Sequence, residues 1–600
     1  MGHRAAVRAT ASSLVALALL AAMPAQAQVA LPAPPTRDEL VPPPARMEQR
    51  STTTLTVDGD MARTPCALDN PALADVRVTL SRITFVGAEA ATGVDLAPAY
   101  VGYLGRDLPI SVLCDVRARA TQMLADAGYL AAVEIPEQRL EGGAAEFRVV
   151  LGRLTAIRVR GDAGPSEALL ASYLQHMVGQ PVFNTREAER YLLLADDIPG
   201  LDVRLSLRPA ANGAPGDLIG EVAVLRRSPS IDANVQNYGS RALGRFGGLV
   251  RAELYDLTGM GDRTTLSAYN SHDFAEQQTL QLGHDMLVGS EGLQLGGQLT
   301  LGWTNPTLGI TGFDVKSDTL YGGVHARYPF LRTQTRSVHG SLGMDLVDQD
   351  VKVNGTLLSR DNVRTAWARF DWVETDLGSI ARRFGYSPYE PRSRMALALE
   401  LRQGLAALGA SRDCRTTPLA CFAAGEVPSR IEQDPTAMLL RAEASFEYRP
   451  VPLFTIAVDL KGQFTPDPLP AFEEISGGSF SAGRGYDPAS VTGDLGVTSR
   501  FELRYGTLVP RSVDSFSLQP YVFADAATVR DRDPSQRASN PDSLLSVGGG
   551  LRFTHGRGVQ GDVLLAVPIK RTDAQRFSAS PRGDVRLLVS LTSRLAPWRF

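Results

Sequence analysis

From about residue 228 onward the chain alternates strictly between apolar and polar residues. In Leu440–Tyr448 one face carries Leu440, Ala442, Ala444, Phe446 and Tyr448, and the other Arg441, Glu443, Ser445 and Glu447. Met395, Leu397, Leu399 and Leu401 alternate with Arg394, Glu400 and Arg402 in the same way. So do Ile456, Val458 and Leu460 with Asp459 and Lys461, and Leu495, Val497, Phe501 and Leu503 with Arg500, Glu502 and Arg504. Val585, Leu587, Val589 and Leu591 repeat the theme. Period two puts successive side chains on opposite faces of a strand.

A soluble half-buried sheet has this pattern too. Here the segments reach about ten residues or more, the polar face carries full charges, and no helical periodicity separates them. About sixteen such segments fit 228–600, which predicts a transmembrane β-barrel with lipid outside and water inside. Closure leaves no unpaired strand edge for lipid to meet. The chain finishes Trp598-Arg599-Phe600, an aromatic end typical of outer-membrane barrels, with the parity slipping near Pro597.

Ahead of the barrel the pattern is mixed. A strand runs from Val78 to Phe85 with an irregularity near Ser81. Asp115 to Ala127 reads as a helix, with Val116, Ala120, Met123, Leu124 and Ala127 at helical spacing and Gly128 as the stop. Strands follow near Ala131–Ile135 and Ala145–Leu151. The order then repeats: a strand at Thr155–Val159, helices at Ser166–His176 and Arg186–Ile198, strands at Asp202–Leu207 and Asp217–Leu225. Asn184 with Glu187 is a helix-start signature. Two tandem α+β modules, 76–152 and 153–227, are predicted.

Residues 1–27 read as a secretory signal, with Arg4 and Arg8, an apolar Ser12–Met23 and Ala25-Gln26-Ala27. Residues 28–75 are rich in proline and read as a linker, with room for only a short helix near Thr36–Leu40. Export makes disulfides the expectation for Cys414 with Cys421 and for Cys66 with Cys114, free thiols being the alternative. A net charge of −4 gives no bulk basic footprint for nucleic acid. Seven histidines offer no metal-ligand or nucleophile–base constellation, so neither cofactor, metal nor enzyme activity is expected.

One stretch breaks the barrel pattern. The loop 465–492 contains Gly477-Gly478-Ser479-Phe480-Ser481-Ala482-Gly483-Arg484-Gly485-Tyr486, small residues around a single guanidinium. Such a loop can fold into a confined space and deliver Arg484 there. Counting parity from Phe516 puts Gln519, Tyr521, Phe523 and Asp525 on the lumen face, so Asp525 is an inward carboxylate within reach.

These residues resemble the two-partner secretion transporters, the hemolysin secretion/activation family, within the outer-membrane assembly factors that carry polypeptide-transport-associated (POTRA) domains. The family's Val/Ile-Arg-Gly-Tyr/Phe loop motif is matched by Gly483-Arg484-Gly485-Tyr486, departing at its first residue, and its Phe-x-Asp motif by Phe523-Ala524-Asp525. The resemblance implies that the two motifs form a lid lock in the pore. It also implies that the two modules are POTRA domains, Pro136 and Gln138 marking a Pro-x-Gln turn in the first. Either residue could contact a client or simply make the turn. The implied function is export of one large hemolysin- or adhesin-like exoprotein by a monomeric barrel set in outer-membrane lipid, with the POTRA domains in the periplasm. A barrel-assembly factor and a passive porin are the alternatives.

Overall fold

The computed structural model describes residues 55–57, 66–307, 312–381, 385–512, 514–533, 540–556, 558–573, 575 and 585–596. The predicted signal sequence, the short helix near Thr36–Leu40 and the aromatic finish lie outside them.

Sixteen antiparallel strands close into a barrel, the first, Ser230–Gln236, pairing with the last, Arg586–Ala596. Alternation becomes sidedness. In the strand Ser393–Gly404, Leu399 and Leu401 are exposed on the outer face while Glu400 and Arg402 are buried inside. Among the described residues no helix is long and apolar enough to cross a membrane. Three neighbours, Val315–Arg332, Arg336–Val353 and Thr356–Thr375, run to 18, 18 and 20 residues. A membrane strand needs only about 9–11, so their excess rises past the bilayer on the side away from the N-terminal modules.

The first module packs the helix Val112–Asp126 through Val116, Ala120 and Leu124 onto a sheet ordered Arg82–Val86, Ala144–Leu151, Ala131–Glu134. The predicted single strand from Val78 to Phe85 is two. Arg77–Thr79 pairs with Asp107–Pro109 in a small sheet of its own. The break falls at Leu80–Ser81, where Ser81 donates from its backbone N to Gly143 O (2.8 Å) and from Oγ to Gly142 O (2.6 Å). The helix also begins three residues before Asp115, because Val112 and Leu113 are buried in the core. The disulfide Cys66–Cys114 pins the chain entering the module to this helix. Closing a loop across a sequence separation of 48 contributes about 4 kcal/mol in the chain-entropy account, against about 2 kcal/mol for the separation of 7 at Cys414–Cys421. Cys66→Ser is therefore expected to cost the module more than Cys421→Ser costs its outer loop. Amide hydrogen exchange of the 112–126 helix measures the first loss.

The second module carries helices Glu167–Gln175 and Thr185–Asp196, the latter capped by Asn184, whose side chain accepts from Arg186 N at 2.9 Å. Its sheet holds an unexpected member. The stretch read as a plain linker contributes Leu55–Val57 as a parallel strand beside Leu201–Pro209, with Leu55 opposite Leu205 and Val57 opposite Leu207. An edge strand presents a row of unpaired donors and acceptors, and a short extended run past the prolines satisfies them.

This module is bolted to the periplasmic turns of the barrel. Ser166, fully buried, donates its N–H to Asp256 Oδ2 (3.2 Å) and hydrogen-bonds the same carboxylate through Oγ, which also accepts from Gly261 N (3.0 Å). Arg332 makes a two-pronged pair with Asp197 at 2.7 and 2.8 Å, and Tyr191 donates to Glu291 at 3.1 Å. Asp256→Ala leaves the buried Ser166 donors unmet, at about 1–3 kcal/mol. Limited proteolysis is expected to cut this variant sooner between the module and the barrel.

Candidate functional site in the barrel lumen

The strand Phe454–Phe464 ends at the face away from the modules, and the chain returns to the wall at Leu495–Tyr505. The intervening loop folds inward rather than outward. A short stem, Ile475–Gly477 paired with Val491–Gly493, is buried against Val529 and Leu544 of the wall. The stem carries the tip 478–486 into the lumen.

At the tip Gly483 has φ of +125°, a backbone state L side chains rarely adopt. Gly485 lies so close to the wall that a Cβ there would come within 2.8 Å of Ser546 Cβ and 2.9 Å of Pro568 N. Between them Arg484 is seated, 4% exposed. Its Nε and Nη2 donate to Asp525 Oδ2 and Oδ1 at 2.9 and 2.7 Å, and its own backbone N donates to Oδ2 at 2.9 Å. Gly483 N adds a fourth, longer bond at 3.3 Å. Asp525 is 0% exposed, and all four of these bonds come from the loop. Bidentate charge-assisted pairing of this kind is about twice as strong as a neutral hydrogen bond.

The aromatic half of the wall motif completes the seat. The guanidinium carbon lies 3.7 Å from the Phe523 ring centroid, within cation–π range. Phe523 itself lies over Gly548, where a Cβ would come within 2.5 Å of its Cζ. The ring is thus pressed between a glycine below and the arginine above. Tyr486, 1% exposed, donates to Leu545 O (2.8 Å) and accepts from Lys570 N (3.1 Å). Arg586 holds the loop beyond it, donating to Tyr486 O and pairing with Asp487 at 3.3 Å. Gly485→Ala is expected to unseat the tip as Arg484→Ala does, since backbone at Pro568 cannot yield to a methyl group. Loop accessibility to a protease added outside the cells measures it.

Sequence reasoning missed Glu502. It lies beside Phe523 in the strand register and accepts from Arg484 Nη1 at 2.6 Å, Arg504 Nε at 2.7 Å and Arg552 Nη1 at 2.8 Å. Its inward parity was legible; its partner was not.

The remaining candidates lie elsewhere. Gln138 follows the edge strand Ala131–Glu134 and clasps Glu146, donating from Nε2 to Glu146 O (2.8 Å) and accepting from Glu146 N at Oε1 (2.7 Å). Pro136 is next to it, its carbonyl also within reach of Gln138 Nε2 at 3.3 Å. Cys414–Cys421 staples the outer loop around the short helix Pro418–Ala423. Among the described residues the carboxylates grouped tightly enough for a cation are Glu474, Asp494 and Asp531. The guanidinium of Arg430 already stands among them, 2.5 Å from Glu474 and 2.7 Å from Asp494.

A closed barrel with a charged inner wall, an infolded loop latched to it and α+β modules before it is the architecture of the outer-membrane transporters that carry POTRA domains. The profile of the haemolysin secretion/activation proteins ShlB/FhaC/HecB matches residues 224–553, and that of the ShlB-type POTRA domain matches 78–152. The chain belongs to this family and is a two-partner secretion transporter of the outer membrane, its POTRA domains in the periplasm. Among solved structures it resembles CdiB from Escherichia coli, at 18% identity and a TM-score of 0.69 over 91% of this chain and 94% of that one. CdiB from Acinetobacter baumannii aligns at 15% identity and a TM-score of 0.60 over 98% of each chain. A search of curated proteins finds no match.

Proposed function

We propose that this transporter exports one large hemolysin- or adhesin-like exoprotein, unfolded, from periplasm to cell surface, and that Arg484 on Asp525 is the lock of its lid. The observation that carries this reading is the loop tip latched to the inner wall of a barrel whose periplasmic mouth is joined to the second of two tandem modules. The barrel acts as a monomer in outer-membrane lipid. Its lumen keeps a client wet with mixed charge, as where Arg369 meets Glu400 at 3.3 Å and Glu443 at 3.1 Å. Folding of the client outside the cell supplies the direction.

Docking is by strand addition, main chain giving affinity and side-chain pockets giving choice. The pairing of Leu55–Val57 along Leu201–Pro209 supports it, because a module edge accepts an extended segment of this chain. In the first module Ala131–Glu134 is one of the two edges of the three-stranded sheet, Arg82–Val86 being the other, and the Gln138 clasp on Glu146 fixes the chain that follows it. Pro136 and Gln138 therefore act on a client by positioning the Ala131–Glu134 edge. Gln138→Ala removes two hydrogen bonds of about 0.5–1.5 kcal/mol each, so the first module is expected to soften by about 1–3 kcal/mol. Client binding by isolated membranes, measured beside hydrogen exchange at Glu146, is expected to fall in step.

The test is a comparison of secreted and outer-membrane proteins with and without the gene. Loss of one large protein from the medium or surface supports the proposal and identifies the client. Loss of many barrels from the membrane, or no change in either set of proteins, contradicts export of a single client.

A further inference from the structure

The loop touches the wall at a second place, on a separate arc of the barrel. Its entering limb makes a tight turn at Ala471–Glu473, where Phe472 and Glu473 are both buried. Phe472 packs with Tyr321, Val347 and Val363, its ring 6.2 Å from that of Tyr321. Glu473, 2% exposed, accepts from Arg402 Nη2 and from Arg441 Nη2, each at 2.9 Å, and Thr365 Oγ1 lies 3.5 Å from its carboxylate. An acidic side chain is rarely buried to this degree unless paired.

The receiving groups form a cradle that stands without the loop. Arg402 also pairs with Asp345 (2.8 Å) and with Glu400 (3.2 Å), and Glu400 lies 3.7 Å from Arg441. Arg369 also reaches Glu400 (3.3 Å) but has Asp371 and Glu443 besides, so departure of Glu473 leaves every guanidinium beside a carboxylate of the wall. The Arg484 site is built the other way, since the bonds to the fully buried Asp525 come from the loop itself. One contact is made to be released; the other is costly to break.

We propose that Glu473 is a second latch of the lid, seated in the preassembled cradle of Asp345, Glu400, Arg402 and Arg441, and that opening the pore requires release at both arcs of the wall. This rests on reading the loop as a lid. It makes Glu473 a positioning residue for transport, acting on the path and not on the client.

Ion conductance of the purified full-length protein in planar lipid bilayers tests it, with barrel integrity read from mobility on unboiled gels. Glu473→Gln is expected to raise the open probability several-fold with gel mobility unchanged, Glu473→Asp to restore closure in part, and Glu473→Gln with Arg484→Ala to approach the product of the single effects. If Arg484→Ala conducts and Glu473→Gln behaves as wild type, the second latch is overturned and the lid stands. If neither conducts above wild type, the lid reading falls and takes the latch with it. A variant that does not depend on the folding of Glu473→Gln is Thr365→Cys with Glu473→Cys in the Arg484→Ala background. Oxidation is expected to return its conductance to the wild-type level, and a crosslinked lid that conducts as freely as the reduced one overturns the proposal.

Discussion

Arg484→Ala is expected to leave the barrel assembled and to cut secretion of the exoprotein steeply. The side chain supplies two hydrogen bonds to Asp525, one to Glu502, and the cation over Phe523. Without it Asp525 stays buried with no opposite charge from the loop. Breaking a buried pair by removing one partner costs about 3–5 kcal/mol, which shifts the seated lid toward release by roughly two to four powers of ten. The strands are unaffected, because each is held by main-chain pairing to both neighbours. Exoprotein in the medium, set against heat-modifiable mobility of the barrel, separates the two effects. Asp525→Asn keeps the shape and loses the charge, so it is expected to fall between wild type and Arg484→Ala.

Glu502→Gln is expected to do more damage to the wall itself. One carboxylate serves three guanidiniums, those of Arg484, Arg504 and Arg552, and it is 3% exposed. Arg504 keeps Glu447 at 2.9 Å and Arg552 keeps Asp562 at 3.1 Å, but both lose their shared anion and now face each other and Arg484. Like charges at close range without water to screen them repel strongly. The loss is about 3–5 kcal/mol and is felt by lid and barrel together. A lower temperature for the shift from folded to unfolded gel mobility, alongside impaired secretion, is the expected pair of results. Arg484→Ala should show only the second.

The difference between these two residues is also the difference between what the sequence discloses and what it withholds. A boundary between lipid and water forces apolar and charged residues into period two, so the barrel, and the inward aim of Asp525 counted from Phe516, can be read along a single strand. Parity names a face, not a neighbour. That Glu502 lies beside Phe523 and Arg500 beside Asp525 depends on register between strands, set by pairing that no single strand encodes. Ser81 likewise breaks a strand for the sake of Gly143, some sixty residues away in the chain. Leu55–Val57 is too short to announce itself, and its partner edge belongs to another module. Gln138 left the choice between turn and client contact open because its acceptor and donor, both on Glu146, lie on the far side of a turn.

In the proposed function an unfolded client passes through the lumen. Site-specific photocrosslinking during secretion addresses it directly. A crosslinker in place of Glu443, on the lumen face beside Arg369, is expected to capture the client in transit, whereas one in place of Leu399, exposed on the lipid face, is expected to capture none. Continued secretion with no capture at Glu443, or equal capture at both positions, would contradict passage through this barrel.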